Sequence, residues 1–323
     1  MRVFITGISG FAGVHLAAHL LAGGHEVRGS VSRRREVPGL ATLAARHAGF
    51  DPARLACVDL GDRAGLARAL AEDAPERVFH LAGIAFVPRA GADIARTFAV
   101  NVLGTVHLLE AVQEAAPAAR VLVVGSSDAY GAIAPEELPI GEDVPLRPVS
   151  VYGISKAAAD MAAFQRWWAS GLAVIRVRSF NHTGPGQSPD FVCADFARQL
   201  ARIEAGMAPP VLRVGNLGAA RDFSDVRDIV HGYALLMERG EPGAAYNLCS
   251  GAATTVGTIV EQLTAECRVR VEVIADTSRV RTREVPVIVG SAARAAALGW
   301  APAIPLRQTL RDLLAHWRRA LAS

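Results

Sequence analysis

Three glycines spaced three apart near the start of the chain constrain its fold more than any other feature. Thr6-Gly7-Ile8-Ser9-Gly10-Phe11-Ala12-Gly13 separates a short apolar run, Arg2–Thr6, from an apolar-periodic stretch, Phe11–Ala22, that stops at Gly23-Gly24. A strand, a glycine turn and a helix in that order make a phosphate cradle. Gly7 allows the tight turn and Gly10 lets backbone approach a pyrophosphate. Gly13 lets helix and strand pack closely, with the phosphates at the helix N-terminus. The spacing predicts that Gly7, Ser9, Gly10, Phe11, Ala12 and Gly13 surround a dinucleotide.

Short apolar runs recur at Glu26–Val31, Arg54–Asp59, Arg77–Ala82, Arg120–Ser126 and Leu172–Arg178, separated by helical stretches at Arg63–Ala74, Asp93–Ala116 and Tyr152–Ser170. This alternation predicts a Rossmann-type doubly wound α/β fold, with a parallel sheet covered on both faces. The pattern loosens after Phe180. Helices are expected at Phe191–Ala205, Val226–Glu238, Thr258–Glu266 and Leu306–Leu321, and strands at Val211–Val214 and Arg268–Ile274. They suggest a smaller C-terminal α+β lobe. The expected division is 1–180 for the dinucleotide domain and 181–323 for the substrate lobe, with segments near 216–248 and 285–290 returning to the first. A chain of 323 residues, 51% hydrophobic and 20% charged, has ample material for such a core and is not a disordered composition.

Other classes are disfavoured. A net charge of +3 spread over scattered basic residues gives no reason to expect nucleic acid. No apolar run of about 18 residues suggests a membrane span. A first strand that starts at Arg2 leaves no room for a signal peptide. Cys57, Cys193, Cys249 and Cys267 lie far apart without metal-ligand spacing, so they read as reduced structural thiols of a cytoplasmic protein with no metal site.

The second strand fixes the expected cofactor. It runs Val27-Arg28-Gly29-Ser30-Val31-Ser32-Arg33-Arg34. Where NAD is preferred, an acid at the end of this strand holds the ribose hydroxyls. No acid is present. Ser32, Arg33 and Arg34 instead suit an extra 2′-phosphate, because guanidinium groups pair with phosphate through charge-assisted bidentate bonds. NADP(H) is therefore favoured over NAD(H), although Arg33-Arg34-Arg35 also reads as an ordinary solvated turn. Asp59, after the third strand, suits an acceptor for the adenine amine or a helix N-cap.

Of the 34 basic residues, one is a lysine, Lys156, and it lies four residues after Tyr152. Four residues apart on a helix, the two share a face. An unperturbed phenol, with a pKa of about 10, exchanges protons poorly near neutrality. A neighbouring ammonium is expected to favour phenolate and lower that value. Arg presents a planar fork and Lys a compact point charge, so the two are not equivalent here. The strand end Val124-Gly125-Ser126-Ser127-Asp128 supplies hydroxyls. Ser126 or Ser127 suits a hydrogen bond to the carbonyl oxygen that Tyr152 would protonate, and one of them also suits a turn cap.

The glycine turn, Asn101-Val102-Leu103-Gly104-Thr105, the serine strand end and the Tyr152/Lys156 pair together resemble the extended short-chain dehydrogenase/reductases, over nearly the whole chain. Ser179-Phe180-Asn181-His182-Thr183-Gly184-Pro185-Gly186-Gln187, Val214-Gly215-Asn216-Leu217, Arg221-Asp222-Phe223-Ser224-Asp225-Val226-Arg227-Asp228 and Tyr246-Asn247-Leu248-Cys249-Ser250-Gly251 resemble the nucleotide-sugar branch, GDP-mannose type. The resemblance implies Ser126, Tyr152 and Lys156 as the catalytic trio. It adds Leu60, Leu81, Ala82, Gly83 and Asn101 to the cofactor site. It implies substrate contacts from Ser127, Asp128, Asn181, Arg221, Arg281 and Glu284. Arg221 and Arg281 suit a diphosphate or ribose and Glu284 suits ribose or guanine, while each arginine alone also reads as a surface ion pair. The implied reaction is NADPH-dependent reduction of the C4 ketone of a GDP-linked 4-keto-6-deoxy sugar, GDP-4-keto-6-deoxy-D-mannose, to GDP-D-rhamnose. Alternatives are a 4,6-dehydratase, an epimerase, a reductase forming the 6-deoxytalose epimer, and a cofactor-sensing scaffold. The resemblance also implies a homodimer through Asp93–Ala116 and Tyr152–Ser170. Two departures stand out. Thr282-Arg283 replaces a frequent Pro-Ser, and Asp128-Ala129 replaces a frequent Glu-Glu. A carboxylate one methylene short at Asp128 disfavours dehydration.

Overall fold

The computed structural model of the chain describes residues 1–33, 37–277 and 285–322. Its first half runs β1 (Arg2–Thr6), α1 (Phe11–Ala22), β2 (Glu26–Val31), α2 (Pro38–Arg46), β3 (Ala56–Cys57), α3 (Arg63–Asp73), β4 (Arg77–His80), α4 (Val87–Ala92), α5 (Ile94–Phe98), a π-helical turn (Ala99–Leu103), α6 (Gly104–Ala115), β5 (Arg120–Val124), α7 (Val151–Ser170) and β6 (Val174–Ser179). The second half runs β7 (Asn181–Thr183), α8 (Val192–Glu204), β8 (Val211–Val214), β9 (Ala220–Asp225), α9 (Val226–Arg239), β10 (Ala245–Leu248), β11 (Ala253–Thr255), α10 (Val256–Ala265), β12 (Glu272–Ala275), β13 (Val287–Ile288), α11 (Ala293–Ala297) and α12 (Leu306–Ala322).

Seven strands form one sheet in the order β10-β6-β5-β4-β1-β2-β3, and every pairing in it is parallel. Parallel pairing follows from helical crossovers, and the strands read as continuous apolar runs because both faces are covered. The period of two is visible in the packing. Val3 and Ile5 of β1, Phe79 of β4 and Leu122 of β5 face a core shared with Leu16 and Leu20 of α1 and Tyr233 and Leu236 of α9. Phe4, Val78, Val121 and Val123 face the other way, onto Leu66 and Leu70 of α3 and Leu108 and Val112 of α6. Each such side chain, fully withdrawn from water, contributes about 1.5–3 kcal/mol. The strand order reverses between β1 and β4, and the crevice at that switch point is where ligands bind in open α/β sheets.

The remaining strands make smaller sheets. β9 pairs with β7, β11 and β13, and β12 pairs with β8. A separate core joins α8, α10 and α12 through Phe196, Leu200, Ile259, Leu263, Leu310 and Leu313.

Three expected elements differ from the observed ones, and the strand expected over Arg268–Ile274 forms only as β12, Glu272–Ala275. The helix expected over Asp93–Ala116 runs from Ile94 to Ala115 but passes through a π turn, where Asn101 bonds sideways to another segment, as described below. The strand expected over Arg54–Asp59 shrinks to Ala56–Cys57, since Pro52–Arg54 form a 3-10 turn capped by Asp51. One buried acid is doubly paired. Asp160 of α7 takes Arg176 at 2.6 Å and Arg178 at 3.1 Å from β6. No described helix is long and apolar enough to cross a membrane.

Candidate active site

β1 ends at Thr6 and the chain turns through Gly7, whose φ of 72° lies in the left-handed region. A Cβ on Gly7 would sit 2.7 Å from the Ala82 amide nitrogen, so this turn meets the end of β4 backbone to backbone. Gly10 is the N-cap of α1 and its amide donates to the Gly7 carbonyl at 2.9 Å. A Cβ on Gly13 would lie 2.3 Å from that same carbonyl oxygen, a distance no side chain tolerates. No side chain caps α1, and its first turn holds no acid, so its free amides and positive dipole end are left to an anion. Ser9, Phe11 and Ala12 complete this cradle. Ser32 and Arg33 are exposed just past β2, while Arg34 lies outside the described residues.

Asp59 is exposed and accepts the Gly61 amide at 2.8 Å. The N-cap of α3 is Asp62, which accepts from Gly65 at 2.8 Å, so the helix-cap reading of Asp59 is not what the chain adopts. Leu60 is buried beneath Gly104, and its carbonyl accepts from His107 at 3.0 Å.

Leu81, Ala82 and Gly83 carry the chain off the end of β4. Asn101, 2% exposed, sits in the π turn and pins this segment. Its Oδ1 accepts from the Ile84 amide at 2.8 Å, and its Nδ2 donates to the Ile84 carbonyl at 3.1 Å and to Ser155 Oγ at 2.9 Å. Ser155 Oγ in turn donates to the Tyr152 carbonyl at 2.8 Å. A Cβ on Gly83 would be 3.0 Å from Asn101 Oδ1 and 3.9 Å from Lys156 Nζ, so these three residues converge.

A buried relay that sequence reasoning missed runs beneath them. Thr6 Oγ1 lies 2.7 Å from His80 Nδ1, and His80 Nε2 lies 3.0 Å from Thr105 Oγ1. Thr105 Oγ1 donates to the Asn101 carbonyl at 2.7 Å, so Thr105 accepts from His80 Nε2–H and His80 Nδ1 accepts from Thr6. Burial pushes the His80 pKa down to about 3, with Lys156 as the lesser cause, so the ring is neutral. The signal for this residue is a polar ring inside the apolar run Val78–Ala82.

Ser126, two residues past β5, caps a 3-10 turn, Ser127–Ala129, by accepting from the Asp128 amide at 3.1 Å. The Tyr152 hydroxyl lies beside the Ser126 side chain. Ser127 is buried in the turn. Ser126 is thus the turn cap and also neighbours the phenol. Lys156 is partly buried and its Nζ donates to the Val124 carbonyl at 2.7 Å. Burial alone pulls its pKa down to about 8. The expected lowering of the Tyr152 pKa does not appear. Burial raises it well above the usual phenol value, the Asp128 carboxylate and Tyr233 raise it further, and the Ser126 side chain opposes them. Desolvation of the phenolate outweighs any help from the lysine. The phenol is therefore held in its protonated form, which is the form a proton donor needs.

Asp128 is half-buried beside this pair, Asn181 is exposed at the start of β7, and Arg221 lies half-buried in β9 with its guanidinium on the Ala220 carbonyl at 2.9 Å. Arg281 and Glu284 lie outside the described residues. Asp222, fully buried beside Arg221, accepts from the Ser250 amide at 2.7 Å, the Gly251 amide at 2.9 Å and the Gly290 amide at 3.2 Å. It ties two loops to β9 at this end of the lobe.

A sequence profile described as GDP-mannose 4,6 dehydratase matches residues 4–313. The chain belongs to that family. The resemblance to extended short-chain dehydrogenase/reductases is thus upheld across its length. The chain is 37% identical to a GDP-6-deoxy-D-mannose reductase of Pseudomonas aeruginosa, over 98% of this chain and 97% of that one. It is 27% identical to a GDP-mannose 4,6-dehydratase of Vibrio cholerae, over 96% and 92% of the two. Among solved structures it is similar to RMD from Pseudomonas aeruginosa complexed with NADPH, at 35% identity and TM-score 0.85, covering 99% of this chain and 100% of that one. A UDP-glucose 4-epimerase of Thermus thermophilus in complex with NAD follows at 28% identity and TM-score 0.85, covering 99% and 100%.

Proposed function

We propose that this chain reduces the C4 ketone of GDP-4-keto-6-deoxy-D-mannose to GDP-D-rhamnose, using NADPH in preference to NADH. The observation that carries this reading is the convergence of Lys156, Asn101 and Gly83 one helical turn from Tyr152, beside the glycine cradle. The similarity to a GDP-6-deoxy-D-mannose reductase and to an NADPH complex supports the substrate class and cofactor.

The cradle fits the cofactor: Gly7 and Gly13 leave no room for a Cβ, and the amides at the start of α1 are uncapped. Ser32 and Arg33 would hold the 2′-phosphate in the absence of an acid. NADPH, when bound, supplies the hydride. Tyr152 donates its proton to the developing C4 alkoxide. Ser126 holds the same oxygen by hydrogen bonding, which stabilises charge as it forms. Lys156, fixed on the Val124 carbonyl, presents its remaining N–H groups to the nicotinamide ribose. Asn101 and Ser155 hold the backbone of Tyr152 in place. Asp128, Asn181 and Arg221 would face the nucleotide sugar, together with Ser127. Mixing the purified protein with the keto sugar and NADPH tests this. Loss of near-ultraviolet absorbance is expected, faster with NADPH than with NADH, and an unchanged signal would sink the reading.

The nearest alternative is a 4,6-dehydratase, which returns its hydride internally; the Asp128 carboxylate lies near Tyr152 but is one methylene short for that chemistry. Net consumption of NADPH separates the two. We also infer a homodimer. Ile154, Met161, Phe164 and Trp168 line one face of α7, and Trp168 is 75% exposed. Light scattering should give twice the chain mass, and Trp168→Glu should halve it. Four free cysteines suit a reducing, cytoplasmic setting.

A further inference from the structure

The loop that follows β7 is held at both ends by different parts of the molecule. On one side β7 pairs in parallel with β9, matching His182 to Ser224 and Thr183 to Asp225. Asp225 caps α9 through the Arg227 amide at 2.7 Å and accepts from Thr309 of α12 at 2.7 Å, so this side is anchored in the C-terminal half. The loop is also internally braced. Thr183 Oγ1 donates to Gln187 Oε1 at 2.6 Å, and Gln187 Nε2 donates to the His182 carbonyl at 2.9 Å. On the other side the loop reaches the first helix of the glycine cradle. His15 Nε2–H donates to the Pro185 carbonyl at 2.8 Å. The Phe11 ring stacks on His182, with centroids 6.1 Å apart and planes at 9°, and meets His15 edge-on at 5.4 Å. At Gly184 a Cβ would strike Val226 at 2.8 Å, so the loop lies as close to α9 as backbone permits.

Phe11 and His15 are one helical turn apart at the start of α1, where the cradle's free amides are. The loop they grip begins at Asn181 and continues the strand paired to β9, which carries Arg221 and Asp222. Among the described residues no other hydrogen bond from 184–187 crosses to α1.

We propose that His15 is a positioning residue that latches the 182–187 loop to the cofactor cradle, so that a dinucleotide ordering the start of α1 also orders the nucleotide-sugar side. The inference rests on the dinucleotide reading given above. Burial lowers the pKa of both His15 and His182, which keeps the latch a neutral hydrogen bond and ring stack. In thermodynamic terms the latch is a coupling between two sites, and coupling is reciprocal.

The test uses GDP as the probe and calorimetry as the assay. In the wild type, saturating NADPH should tighten GDP binding about fivefold or more. In His15→Ala that tightening should fall below about twofold while NADPH affinity changes by less than about twofold, because His15 acts through the loop. His15→Gln keeps an N–H donor and should restore part of the coupling, which a mere loss of folding would not allow. Hydrogen exchange gives a second reading on the wild type alone: the Gly186 and Gln187 amides should slow when NADPH is added. Equal coupling in wild type and His15→Ala, or unchanged exchange at those amides, overturns the latch. Absence of NADPH binding to the wild type, measured directly by fluorescence, overturns instead the dinucleotide reading beneath it.

Discussion

Replacing Lys156 by Met removes an enclosed ammonium while keeping a side chain of similar length. Burial holds the lysine pKa down from its ordinary 10.5 to about 8. That drop corresponds to about 3 kcal/mol against the charged form. Between those two values the folded chain binds fewer protons than the unfolded one, so stability rises with pH across that window and the full penalty is present below it. Residual exposure and the 2.7 Å bond to Val124 both reduce what removal returns. The expected balance is about 1–2 kcal/mol in favour of Met at neutral pH. Urea unfolding of both proteins without cofactor, at neutral pH and again above the ordinary lysine pKa, reads this directly. The advantage of Met should fade at the higher pH, while turnover falls at least about a hundredfold throughout. A Met variant less stable than wild type at neutral pH, or an advantage independent of pH, would refute the burial argument. Lys156→Arg should also fold yet lose most turnover, because the wider guanidinium must share the space between Val124, Gly83 and Asn101. Wild-type turnover in that variant would mean the lone lysine is an accident of composition.

Three further outcomes are expected. Tyr152→Phe should lower kcat by about two to four orders of magnitude with NADPH affinity nearly unchanged, measured by steady-state kinetics and fluorescence titration. Arg33→Ala should raise KM for NADPH about tenfold and leave KM for NADH almost unaltered, and equal effects on both would argue for the solvated-turn reading. Asp160→Asn strips the acid from Arg176 and Arg178 and should destabilise the fold by about 3–5 kcal/mol in urea unfolding.

The parallel sheet and the cradle were legible because their causes are local: apolar runs of strand length, glycines where a Cβ cannot fit, and helices between them. The π turn in the helix at Asn101 was not, because the bonds that stabilise it reach Ile84 and Ser155, distant in sequence. Strand β9, Ala-Arg-Asp-Phe-Ser-Asp, looks like a loop in sequence. It is buried only because Ser250, Gly251, Gly290, Arg227 and Thr309 satisfy its two carboxylates. The Tyr152/Lys156 pair was found by spacing, but the direction of the phenol shift depends on burial, which spacing does not encode. Nothing in the chain order places His15 on Pro185 or His80 between Thr6 and Thr105.

The most direct test of the central claim follows the transferred hydrogen. The protein is incubated with GDP-4-keto-6-deoxy-D-mannose and NADPH deuterated at its transferable position, and the sugar is examined by NMR. The expected result is GDP-D-rhamnose carrying one deuterium at C4, with one NADPH oxidised per ketone reduced. A sugar product without deuterium at C4, or recovery of the ketone with NADPH intact, would contradict the account.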